Sequence, residues 1–276
     1  MSNYEVFCVT IKKVIIMKTK KILILFLTAI ICITQLSCKK NKDSDEPVPE
    51  TKQYLPATIL VQNGNTAATI HNITFDYNAD GSLSSINQVI SSATINWTFN
   101  YNQNGTLNTA SYSHSTSGNI LFSLSYDGND RLNKVDKNDG TSDVLNLNYL
   151  AGSNTYVGSG GDLDGVRIKL NSDKQMENMQ NWIFGTDISI AYQNSEKGIF
   201  ADVNLDESVR VFLNLYNGYH MTHSFYHSKQ LSSVVYGTNT YIFQNYNKND
   251  NGYISSYQRV NAPDVPRDYS VTYKEQ

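Results

Sequence analysis

The sequence predicts an all-β, antiparallel domain made of hairpin repeats. Three observations carry this: apolar and polar residues alternate in short segments, Asn or Asp stands near Gly between them, and tyrosines recur about every 24 residues at Tyr77, Tyr101 and Tyr126. Period-2 alternation is the signature of a half-buried strand, and Asn or Asp beside Gly supplies the positive φ values of tight hairpin turns.

Taken in order, Ile73, Phe75 and Tyr77 share one parity while Asn72, Thr74 and Asp76 take the other; Ile95, Trp97, Phe99 and Tyr101 do the same against Asn96, Thr98 and Asn100. Each terminal Tyr is followed by a turn and a second apolar pair. Tyr77 leads through Asn78-Ala79-Asp80-Gly81-Ser82 to Leu83 and Ile86, and Tyr101 through Asn102-Gln103-Asn104-Gly105-Thr106 to Leu107 and Ala110. The spacing persists where residues change: Tyr126 with Leu132 and Val135, Leu170 with Met176 and Met179, Phe225 with Leu231 and Val234. Leu83-Ser84-Ser85-Ile86, Leu231-Ser232-Ser233-Val234 and Ile254-Ser255-Ser256-Tyr257 are near copies. Tyr192 and Tyr246 open units whose turns are expected to run one or two residues longer. Tyr149 ends a strand whose return is expected to be replaced by the irregular stretch 151–165, and Asp130 stands where the turn glycine belongs. A last strand through Tyr269, Val271 and Tyr273 closes the chain without a hairpin of its own.

These units imply a dozen or more strands in one domain over residues 58–276. That exceeds the roughly 10 strands an open twisted sheet tolerates before curling, so a closed barrel or long wrapped sheet is expected. Strands of about eight residues rich in Ser, Thr and Asn favour an apolar face turned inward over a membrane-spanning barrel, which needs about 9–11 residues per strand and an outward apolar band.

Ahead of this domain lies a different composition. Lys18 to Lys21 form a positive segment, Ile22 to Ile33 an apolar one about a dozen residues long, and Gln35-Leu36-Ser37-Cys38 is similar to a bacterial lipobox. The apolar run is shorter than the roughly 20 residues of a spanning helix and reads as a cleaved signal peptide over residues 17–37. Cys38 is then the lipid-attachment residue. Residues 1–16 interrupt the signal layout, so translation is expected to begin at Met17; Cys8 is then not made and Cys32 is removed, leaving no disulfide to hold the mature domain. Residues 39–57 are polar, charged and proline-bearing, which marks a flexible tether. Its lysine-then-acid order is similar to the export signal that carries Bacteroidetes lipoproteins to the outer face of the outer membrane; a linker on a periplasm-facing lipoprotein is the alternative.

Removing residues 1–37 takes the formal net charge from −3 to −7, with 17 basic against 24 acidic residues. A chain this acidic with no basic stripe is a poor nucleic-acid partner.

The Phe-x-Tyr-Asn/Asp-x-x-Gly-x-Leu unit resembles the tyrosine-aspartate repeats of Rhs-type proteins. With the lipobox and tether, the chain resembles Bacteroidetes lipoprotein families of unknown function described as having a porin-like fold. The resemblance covers most of residues 58–276 and implies a fold; it supplies no catalytic residues.

The residues themselves offer few sites. His220, His223 and His227 would share a metal face only on a helix; the repeat puts His223 on a strand and His227 in the following turn, so no metal is expected. Asn247-Lys248-Asn249-Asp250-Asn251-Gly252 imitates the start of a calcium loop, but Gln258 stands where the bidentate Glu belongs, and a hairpin turn accounts for it. The glycine-rich stretch 158–165 lacks the Lys-Ser/Thr of a phosphate loop and reads as a flexible connection. Asp162, Asp164, Asp187 and Asp202 are candidates for paired-carboxylate hydrolysis, with nothing to pair them. Trp182, Tyr216 and Tyr219 are the ligand-binding candidates, read as aromatics on exposed loops, with sheet packing as their ordinary role. The expectation is a lipid-anchored, non-enzymatic outer-membrane module without cofactor, binding a glycan, a lipid or another envelope protein. The alternatives are a purely structural envelope component or a carboxylate-dependent hydrolase.

Overall fold

The computed structural model describes residues 52–182, 185–216, 226–260 and 265–276. Sixteen strands run up and down in chain order and close into one antiparallel barrel, the first pairing with the last. They are β1 (Tyr54–Asn63), β2 (Thr69–Tyr77), β3 (Leu83–Ile90), β4 (Ala93–Tyr101), β5 (Leu107–His114), β6 (Gly118–Tyr126), β7 (Leu132–Asn138), β8 (Ser142–Leu150), β9 (Thr155–Ser159), β10 (Arg167–Leu170), β11 (Met176–Trp182), β12 (Thr186–Lys197), β13 (Lys229–Tyr236), β14 (Asn239–Lys248), β15 (Ile254–Val260) and β16 (Arg267–Glu275). The predicted parity is the observed one: Ile73, Phe75, Ile95, Trp97 and Phe99 are buried, while Asn72, Asp76, Asn96, Thr98 and Asn100 are exposed. The outward positions thus carry Asn, Thr and Asp where a membrane-spanning barrel puts its apolar band.

At one rim the same five-residue turn recurs. Asn78, Asn102, Asp127, Asn171 and Asn249 each bond through their N–H to the carbonyl four residues on, and each accepts at its own carbonyl from the N–H three residues on. That fourth turn residue has positive φ in every copy: Gly81 (78°), Gly105 (84°), Asp130 (57°), Lys174 (60°) and Gly252 (81°). Asp130 therefore keeps the turn, since Asp tolerates the left-handed region better than most side chains. The calcium-like segment is one of these turns: Asn249 Oδ1 accepts the N–H groups of Asn251 (3.1 Å) and Tyr253 (3.0 Å). The unit opened by Tyr246 owes its extra length to β14, which continues to Lys248 before a turn of standard size.

Behind each turn the ladder slips by one residue. Asp76 faces Ser85 but Tyr77 faces Leu83; Asn100 faces Thr109 but Tyr101 faces Leu107; Ser125 faces Lys134 but Tyr126 faces Leu132. A tyrosine in the later part of a strand then donates its hydroxyl to a carbonyl at or near the start of the strand before it. Tyr101 reaches Leu83 O (2.8 Å), Tyr126 Leu107 O (2.5 Å), Tyr192 Met176 O (2.5 Å), Tyr246 Leu231 O (2.9 Å) and Tyr77 Pro56 O (2.8 Å). Turns join the strands within each hairpin, and tyrosine clasps join hairpin to hairpin.

Three expectations need correction. The stretch 151–165 is not an irregular replacement for the return of Tyr149: it contains β9, which pairs with β8 in regular register, Tyr149 opposite Tyr156. The glycine-rich part is an ordered connection, with Leu163 buried, Gly158 N bonded to Val166 O (2.8 Å) and Asp162 paired to Lys137 (2.8 Å). Tyr192 does not open a slightly longer turn. The residue facing it is Leu231, and between β12 and β13 lies an insertion over residues 198–228.

That insertion carries the main departure from an all-strand domain, the helix α1 (Glu207–Tyr216). Asp206 caps it, its Oδ1 accepting from Val209 N (2.7 Å) and Ser208 Oγ (2.6 Å). Seven of its residues, Ser208, Val209 and Val211 to Leu215, are buried. Phe212 meets Trp97 (5.9 Å between centroids) and Phe122 (5.2 Å), so the helix lies against the inward side chains of β4 and β6 and fills the barrel.

Candidate functional site

Inside the barrel the polar groups hold the insertion in place. Glu207 accepts from Tyr156 Oη (2.5 Å) and pairs with Lys174 (3.1 Å). Burial, then the bond to Glu207, pushes the Tyr156 phenol well above its ordinary pKa. Arg210 donates to Gln175 Oε1 (3.0 Å), Leu205 O (3.1 Å) and Tyr226 O (3.3 Å), and Gln175 Oε1 also accepts from Ser228 N (2.9 Å). Burial draws the Arg210 pKa downward, and three neutral acceptors replace the water it gives up. Gly198 makes the chain's approach possible: a Cβ there would sit 2.5 Å from the carbonyl oxygens of both His227 and Lys229.

Two aromatic candidates belong to this interior. Trp182 does not sit on an exposed loop; it ends β11, is 3% exposed and donates its Nε1–H to Leu215 O (3.1 Å), satisfying a carbonyl of the helix C-terminus. Tyr216 is not on a loop either. It ends α1, packed on Phe122 (4.7 Å) and Phe212 (5.3 Å), and burial raises its phenol pKa. Tyr219 lies outside the described residues, as do His220, His223, Phe225 and Cys38. His227 is 2% exposed, with Nδ1 at 2.9 Å from Tyr192 Oη. Because the Tyr192 hydroxyl donates to Met176 O, the phenol oxygen is left to accept from Nδ1–H. Among the described residues no three His, Cys, Asp or Glu side chains gather as a metal site.

The four carboxylates are each engaged locally. Asp162 pairs with Lys137, which lowers its pKa. Asp164 accepts from Gly160 N (2.7 Å), Asp187 from Asn181 N (2.9 Å), and Asp202 binds Tyr253 Oη and Lys197.

Among the described residues, an open cleft lies outside the barrel. A cleft of about 600 Å³ lies over β9 to β12, within the size range of small-ligand sites. Register builds its floor. Thr155, Lys169, Asn178 and Ser189 face one another in turn across the four strands, and Arg167 faces Gln180 one step along. Asn178 Nδ2 donates to Ser189 Oγ and Ile188 O, both at 3.0 Å, and Lys169 pairs with Glu177 (3.0 Å). Leu150 at the end of β8 and Ser153 of the β8–β9 connection bound the cleft at the tyrosine rim. The wall is irregular here: β10 has four residues, and β11 slips against β12 between Met179 and Trp182, where Asn181 takes φ 51°. Sequence reasoning passed over these residues, because only strand register assembles them.

The architecture is that of a closed antiparallel barrel filled by its own helix. Two solved structures resemble it: a porin-like protein from Bacteroides uniformis (11% identity, TM-score 0.40, covering 79% of this chain and 96% of that one) and a porin-like protein from Bacteroides vulgatus (12% identity, TM-score 0.39, covering 80% and 99%). No protein-family model and no curated protein matches the chain.

Proposed function

We propose that this protein is a non-enzymatic module of the outer membrane, anchored by acyl chains on Cys38, that works through its outer surface and conducts nothing through its interior. The observation that carries the reading is the filling of the barrel by α1, with Phe212, Trp97 and Phe122 in mutual contact where a pore would need water. Polar outward positions support a body standing clear of lipid, and the lipobox-like run and tether support attachment by the N-terminus. Binding is favoured over a purely structural role by the cleft over β9 to β12, and a hydrolase is disfavoured because that cleft is lined by one carboxylate, Glu177.

The test is direct. The mature protein is expected to begin at an acylated Cys38 by intact mass, a Cys38→Ser variant to move from the membrane to the soluble fraction, and the purified protein to give no conductance in planar bilayers. An unmodified mature cysteine, or reproducible channel steps, overturns the reading.

A further inference from the structure

We propose that the cleft over β9 to β12 binds an acidic oligosaccharide, with Arg167 receiving its carboxylate and the row Thr155–Lys169–Asn178–Ser189 receiving its hydroxyls. The inference deepens the binding role assigned above and names its ligand class.

The outside of a closed barrel is convex, so a shared cleft of about 600 Å³ among outward side chains of four successive strands is a local departure from that curvature. It coincides with the four-residue β10 and the slipped β11–β12 ladder. Neighbouring strands are about 4.8 Å apart, so the four-strand row spans roughly 14 Å and presents a hydrogen-bonding group at each step. An extended, hydroxyl-rich chain matches such a spacing.

Chemistry narrows the ligand. Every strand here is paired on both sides, so a peptide cannot add itself as a further strand. The cleft lining holds no aromatic residue to anchor a protein hot spot, and apart from Leu150 and Ile190 it is amide, hydroxyl and charge. Hydroxyls can donate to Glu177, to Asn178 Oδ1 or to Thr155 Oγ1, whose own proton goes to Ser153 O (3.0 Å), and accept from Gln180 and Ser189. Two cations, Arg167 and Lys169, stand against one anion, Glu177, with Lys169 already paired to it. The guanidinium of Arg167 is left as the group for a carboxylate, which its planar fork can take in a bidentate manner.

The experiment is calorimetric titration of the full mature protein with uronic-acid oligomers of three to four residues and with neutral oligomers of the same length and linkage. Binding of the acidic series is expected, weakening several-fold between about 50 and 300 mM salt, because the screening length shortens and an exposed charge contact is screened. Arg167→Ala should weaken it about tenfold or more, Arg167→Lys less, and Asn178→Ala about threefold to tenfold for acidic and neutral chains alike. Both positions face outward, so thermal midpoints report that the variants fold. Absence of binding to the acidic series, equal binding of the neutral series, or affinity unchanged in Arg167→Ala each overturns the proposal. None of these bears on Cys38 acylation or bilayer conductance, so the broader reading stands or falls separately.

Discussion

The hydroxyl of Tyr101 satisfies two groups at once, its own half-buried donor and the carbonyl of Leu83 beside a slip in the ladder. A net hydrogen bond of this kind contributes about 1 kcal/mol. Tyr101→Phe keeps the ring and loses only that bond, so its urea midpoint is expected to fall by an amount equivalent to about 1 kcal/mol. Tyr273 supplies the control. It lies two residues before the end of β16, but its buried hydroxyl has no partner among the described residues, so Tyr273→Phe is expected to leave the midpoint unchanged or raise it slightly. Equal losses in the two variants would show that ring packing, and not the clasp, is what the position supplies. Asp130 offers a second contrast. Its φ of 57° costs an L-residue conformational energy that glycine avoids, so Asp130→Gly is expected to stabilise by up to about 1 kcal/mol in the same urea series.

At the scale of elements, the strands were legible because their alternation has a single physical source, one face against a core and the other in water. The same rule does not reveal α1. Val209, Val211, Leu213 and Leu215 alternate like a strand, and Phe212 and Asn214 between them are buried too, because a helix inside a barrel is covered on all sides. Asp206, the N-cap ahead of Glu207, is a local sign of a helix start that alternation does not register. Phe225 followed by Leu231 imitated the Tyr-to-Leu spacing, yet Leu231 faces Tyr192 across the whole insertion, which spacing cannot show. The cleft was hidden for a related reason: Arg167 and Gln180, or Lys169 and Asn178, become neighbours only through register. If α1 is core, Phe212→Ala should cost about 3–5 kcal/mol, the range for a buried aromatic, whereas Asp206→Ala should cost about 1 kcal/mol by loss of the cap. A Phe212→Ala loss no larger than the cap's would place the helix outside the core.

Over the whole molecule, a closed ring of strands has no free edge to protect, and its weak point is chemical: the phenols buried around the tyrosine rim and the interior. Burial pushes Tyr126 to about 12, and burial with the bond to Asp202 takes Tyr253 to about 12 as well. For Tyr77, Tyr101 and Tyr246 burial drives the shift further in the same direction. In the unfolded chain these groups lose their protons near pH 10, while in the barrel they keep them. Between about pH 10 and 12 the folded state therefore holds more protons than the unfolded state, and stability must fall as pH rises through that window, being fully present below it. Because turns and clasps alternate around one continuous ring, losing the clasps should open the ring cooperatively. Tyrosinate absorbance followed with far-ultraviolet circular dichroism is expected to show one fraction of the phenols ionising near pH 10 with the barrel intact, and the remainder ionising only together with the loss of β signal. Complete ionisation near pH 10 with undiminished β signal would mean that the rim hydroxyls are open to water and that the hairpins are held to one another by the strand ladder alone.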